Sequence, residues 1–121
     1  MKQLVAVFFV LFLSACASTP LPTDYGRVMT TEECKSAAMD YFNRVLKDPG
    51  SAKYRWSTCD KRLDKGGLLV PAIAAYNISI YINAKNSYGG YTGEKGYSVF
   101  VRNGSVVRVW DCSGERCELV L

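Results

Sequence analysis

Five cysteines and no histidine set the chemistry open to this 121-residue chain. Cysteine thiols can be acylated, can pair as disulfides, or can bind a metal as thiolates. Without histidine, the commonest general base and the commonest metal ligand are missing. Eleven carboxylates are scattered through the chain, and no pair stands out by motif. There is no Gly-rich phosphate loop, no Gly-x-Ser-x-Gly elbow, no Cys-x-x-Cys and no Ser-x-x-Lys. These residue types disfavour catalysis, and no cofactor or metal is expected.

Cys16 closes a distinctive leader. Lys2 precedes an apolar run from Leu4 to Leu13, and small residues lead from there to Cys16. The run is too short and wrongly flanked for a transmembrane span, and has the layout of a secretory signal over residues 1–15. Leu13-Ser14-Ala15-Cys16 resembles the lipobox of bacterial lipoproteins. That resemblance implies cleavage before Cys16, a diacylglycerol on its thiol and acylation of the new amino group. Several acyl chains together make such an anchor effectively permanent. Ala17, not Asp, follows the cysteine. In that class this implies export to the outer membrane, facing the periplasm.

In an oxidising envelope compartment, the remaining Cys34, Cys59, Cys112 and Cys117 read as two disulfides, with three possible pairings. Cys112 and Cys117 flank a turn-like Ser-Gly-Glu-Arg and can close a short loop. From Cys34 a helix to Lys47 runs about 20 Å. After Asp48-Pro49-Gly50, a strand from Ser51 to Cys59 returns about 26 Å. That return brings Cys59 level with Cys34, so the expected pairs are Cys34–Cys59 and Cys112–Cys117.

The elements that hold these residues follow from local patterns. Residues 16–29, with Pro20, Pro22 and Gly26 and no periodicity, read as a lipidated cysteine and flexible tether. Thr30 and Glu33 form a capping box opening a helix. Cys34, Ala37, Ala38, Tyr41, Phe42, Val45 and Leu46 fall on one face of it. Pro49 ends it. Ala52 to Cys59 is a candidate first strand, followed by a polar loop from Asp60 to Gly67. The second strand starts near Ala74 and puts Tyr76, Ile78, Ile80 and Ile82 on one face. Asn103-Gly104 centres a hairpin over Tyr97 to Asp111 with a type I′ turn. A regular ladder from that turn pairs Val101 with Val106, Phe100 with Val107 and Val99 with Arg108. Glu118 to Leu121 offers a short last strand. The expected fold is a single α+β domain over residues 30–121. In it, one N-terminal helix packs on one face of a mostly antiparallel sheet of about four strands.

Asn83 to Gly96 is the unusual stretch, with four glycines and two tyrosines. Glycine and asparagine both suit positive φ. One possibility is a wide hairpin connection whose tyrosines cover the sheet edge. The other is a recognition loop contacting a partner through Asn83, Lys85, Asn86, Tyr88 and Tyr91. Leu46-Lys47-Asp48-Pro49-Gly50-Ser51-Ala52-Lys53-Tyr54 and Asn83-Ala84-Lys85-Asn86-Ser87-Tyr88-Gly89-Gly90-Tyr91-Thr92-Gly93 together give a second resemblance. They are similar to a set of small bacterial and phage-borne exported proteins and lipoproteins of unassigned function. The resemblance spans roughly residues 34–102 and implies no established activity. Where that set has Cys-Gly, this chain has Ile78-Ser79.

The formal charge of +4 falls by one when the leader takes Lys2 with it. No basic run argues for nucleic acid, and an envelope address argues against it. Lys53, Arg55, Lys61, Arg62 and Lys65 are the nearest thing to a basic patch. They read as a solvated edge, or as a contact for anionic lipid headgroups or an acidic partner. The expected function is that of a lipid-anchored, non-catalytic envelope protein. It is held to the membrane through its N-terminal lipid and binds an envelope protein or a glycan. The alternative is an inhibitor of a cell-wall hydrolase, inserting the Tyr88–Tyr91 loop into an active-site cleft.

Overall fold

The computed structural model describes residues 18–121; the leader and Cys16 lie outside the described residues. Thr30 caps helix α1 (Thr31–Val45), accepting from the Glu33 N–H at 3.2 Å while the Glu33 carboxylate accepts from the Thr30 N–H at 2.8 Å. This reciprocal pair satisfies two otherwise orphaned backbone donors. Cys34, Ala38 and Phe42 form the fully buried stripe of α1, with Ala37 and Tyr41 half-buried beside it. Val45 stays exposed, and Leu46, whose extended backbone ends the helix, packs against the core instead.

Five strands follow: β1 (Lys53–Asp64), β2 (Ile73–Asn83), β3 (Lys95–Arg102), β4 (Ser105–Asp111) and β5 (Glu118–Leu119). They form one antiparallel sheet in sequence order, with the helix on one face. This is the expected α+β architecture, with the two-residue β5 as its fifth strand. The core between helix and sheet takes Tyr76, Ile78, Ile80 and Ile82 from β2, Val99 and Val101 from β3, and Val109 from β4. The Cys34–Cys59 disulfide staples the first turn of α1 to β1, and Cys112–Cys117 closes a loop after β4.

Three local expectations are corrected. First, β1 runs to Asp64, through the segment read as a polar loop. Ser57 and Thr58 form a bulge opposite Ser79, which keeps Cys59 toward the helix side. The exposed charges of Asp60, Lys61 and Arg62 belong to an edge strand, where they discourage pairing with another chain. Second, the β3–β4 ladder is not regular. Asn103 and Gly104 both have positive φ, as a type I′ turn requires, and Val101 pairs Val106. Beyond that the register shifts by one residue, so Phe100 pairs Arg108 and Val99 pairs Val109. Val106 and Val109 are three apart and cannot share a face in a regular strand. The bulge at Val107 lets both face the core and turns Arg108 and Trp110 to the opposite face. Third, the second half of the tether is docked. Met29 is buried, Tyr25 packs on the core, the Arg27 N–H donates to Asn103 Oδ1, and Arg102 donates to Asp24.

The meander has two ends. At one lie the β1–β2 connection, the Asn103–Gly104 turn and the docked residues around Asp24. At the other lie the β2–β3 loop and the Cys112–Cys117 loop.

Candidate recognition surface

The β2–β3 loop folds back on itself through an isolated bridge between Lys85 and Tyr91. Asn86 organises the turn inside that bridge. Its Oδ1 accepts from the Tyr88 N–H at 2.9 Å and the Gly90 N–H at 3.2 Å. Its N–H donates to the Gly90 carbonyl, and its carbonyl accepts from the Gly89 N–H. Asparagine is suited to this because its short amide reaches the backbone two residues on.

The base of the loop is tied to the turn after α1. Ser51 Oγ accepts from the Lys85 N–H at 2.9 Å, and the Ser51 carbonyl accepts from the Tyr91 hydroxyl at 3.1 Å. Lys53 Nζ lies 4.6 Å and Lys85 Nζ 5.6 Å from the centre of the Tyr91 ring. Nearby, Arg55 pairs with Glu94 at 2.7 Å and stacks on Tyr81 at 4.2 Å. Its hydrogen bond holds the Glu94 carboxyl below the usual carboxylate range.

The five residues expected to contact a partner therefore separate into roles. Tyr88 stands at the tip, 97% exposed. Tyr91 is 44% exposed but has its hydroxyl and ring engaged at the base. Asn86 is the frame, half-buried, and Lys85 is its half-buried neighbour. Asn83 belongs to β2, paired with Lys53, and its amide oxygen is buried without a protein partner. Only Tyr88 and part of Tyr91 present a surface, because the asparagine and lysine are consumed in building the loop.

The sheet face away from the helix carries a second feature, missed in the sequence. A cleft of about 450 Å³ is lined by Arg62, Asp64, Ser79, Tyr81, Phe100 and Trp110 and bordered by the Cys112–Cys117 loop. Beside it, Asp64 accepts from Arg108 at 2.9 Å, from the Trp110 indole at 2.6 Å and from the Gly66 N–H at 2.9 Å. Burial alone raises the Asp64 carboxyl, but the Gly66 N–H, Trp110 and Arg108 outweigh it and hold the group below the ordinary range. An ionised carboxylate with three donors on it is a strut and a poor proton acceptor. Asn77, also buried, donates to Ser98 Oγ at 2.8 Å and to the Val99 carbonyl at 3.2 Å. The available signal was alternation. Asn77 and Ser79 occupy the polar face of β2, but Arg108 and Trp110 reach that face only through the bulge.

Among the described residues there is no cluster of side chains able to hold a metal ion and no helix long and apolar enough to cross a membrane. Compared with protein-family models, curated proteins and solved structures, the chain matches none.

Proposed function

We propose that this protein is a lipid-anchored, non-catalytic component of a bacterial cell envelope. It binds a macromolecular partner, an envelope protein or a glycan, through its β2–β3 loop. The observation that carries this reading is Tyr88: an aromatic side chain in solvent, on a turn fixed by Asn86 and bolted at its base to Ser51. Tyrosine is among the favoured anchors at interfaces. A turn already held in one shape loses less entropy when a partner settles on it. The absence of histidine and the engaged state of Asp64 agree with binding in place of catalysis.

The test compares full-length wild type with Tyr88→Ala, both extracted in detergent and used to capture partners. The expected result is one partner retained by wild type and lost by the variant, with matching thermal melts. Equal capture by both would contradict the loop as the contact. The same protruding turn favours a second reading, an inhibitor whose Tyr88 enters the cleft of a cell-wall hydrolase. Inhibition of a lysozyme-like enzyme by wild type but not by Tyr88→Ala would select it.

A further inference from the structure

The β1–β2 connection ends in a tight turn of an uncommon kind. The Gly67 N–H donates to the Val70 carbonyl at 3.0 Å and the Val70 N–H returns to the Gly67 carbonyl at 3.3 Å. That leaves Leu68 and Leu69 alone at the tip, 100% and 92% exposed. Neither leucine has positive φ, so the turn is not of the primed kind usual in hairpins, and neither side chain reaches the core.

The finger carrying them is stiff. Gly66 has φ +71, and a Cβ there would meet the Val70 carbonyl at 2.1 Å, so the two legs touch backbone to backbone. The first leg is tied to Asp64, which accepts from the Gly66 N–H. The second is tied to Arg108, which donates to the Pro71 carbonyl at 2.7 Å. Asp64 and Arg108 are themselves the buried ion pair behind the cleft, with side chains 13% and 7% exposed. One buried pair thus clamps both legs of the finger.

The surroundings are basic. Lys65, at the foot of the finger, and Lys61 and Arg62, further down β1, are exposed. Lys61 lies over the Tyr25 ring and Arg62 donates to Asn77, while Asp60 is exposed beside them and Asp64 is neutralised by Arg108. The N-terminal segment docks at the same end of the sheet, since Arg102 bonds both Asp24 and the Ala74 carbonyl. From Cys16 to Asp24 the chain spans at most about 28 Å when fully extended.

We infer that the Leu68–Leu69 tip inserts into the interface of an anionic bilayer, with Lys61, Arg62 and Lys65 over the headgroups. A narrow convex tip of two leucines lacks the area of a stable protein interface. Apolar residues flanked by lysine and arginine suit the boundary between headgroups and acyl chains. The inference rests on the lipid-anchor reading for which membrane is engaged; the contact itself stands on the finger. Its consequence is orientation: the finger faces the membrane, and Tyr88, at the opposite end of the meander, points away.

The test uses full-length lipidated protein in vesicles of phosphatidylethanolamine and phosphatidylglycerol, with bromine on the acyl chains. Leu69→Trp should gain a blue-shifted emission that the bromolipid quenches. The emission of Trp56 and Trp110 in wild type should be unaffected. Added emission at the water-exposed wavelength, unquenched, overturns the finger. An alkaline wash before sedimentation separates this from the anchor. Protein that stays with the vesicles but is unquenched keeps the anchor and loses the finger. Protein that is quenched yet washes off keeps the finger and loses the anchor.

Discussion

Asp64 and Arg108 form the least exposed ion pair among the described residues. The pair sits beneath the cleft with side chains 13% and 7% exposed, and Trp110, Gly66 and Pro71 complete its hydrogen bonds. Removing one charge leaves the other sealed from water without a partner. Asp64→Asn should therefore lose about 3 kcal/mol or more in a urea titration, while a Asp64→Leu/Arg108→Leu pair should recover much of that. The pH dependence has a definite sign. The Asp64 carboxyl is held below its ordinary value in the folded state. Its contribution is fully present above the unfolded carboxylate value of about 3.9 and is lost as pH falls through the lower folded value. Acid titration of wild type should show this loss below roughly pH 4, and Asp64→Asn should lack that part of it. At the loop, Tyr88→Ala should leave stability within about 0.5 kcal/mol of wild type, as for an exposed site. Tyr91→Ala should lower the melting midpoint, since Tyr91 bonds Ser51 and covers two lysines.

Among the elements, those set by near neighbours were legible and those set by distant partners were not. The Thr30–Glu33 capping box and the Asn103–Gly104 turn each act within four residues, and both formed where the sequence placed them. The Cys34–Cys59 pairing followed from two element lengths joined by one turn. The extent of β1 was hidden because Asp60 to Asp64 look like loop residues until β2 is laid beside them. The β4 bulge was hidden for a similar reason: only the core tells Val106 and Val109 to face the same way. Two predictions belong here. Replacing Cys34 and Cys59 together by Ala should cost about 3 kcal/mol, from the entropy of a 25-residue loop in the unfolded chain. Deleting Val107 should be tolerated, because a regular β4 then pairs Val106 with Val101 and Val109 with Val99. A folded deletion variant in thermal melts supports the bulged register. An unfolded one contradicts it, because the straightened ladder keeps Val106 and Val109 on the core face and Arg108 opposite Phe100.

For the molecule as a whole, the two proposed contacts fall at opposite ends of the meander. The docked N-terminal segment and the Leu68–Leu69 finger share one end of the sheet; the Tyr88 turn occupies the other. Such a protein would stand on the membrane with its aromatic turn held outward. The anchor has its own check: Cys16→Ser should abolish lipid labelling and processing at that site. A variant still cleaved after Ala15 and still membrane-bound would contradict the lipoprotein reading. The most direct measurement of the central proposal is photo-cross-linking in living cells, with a benzophenone amino acid in place of Tyr88, and separately in place of Val107 as an exposed control at a distance from the loop. The expected result is one discrete adduct from the Tyr88 position that is missing from the Val107 position. No adduct at Tyr88, or the same adducts from both positions, would contradict it.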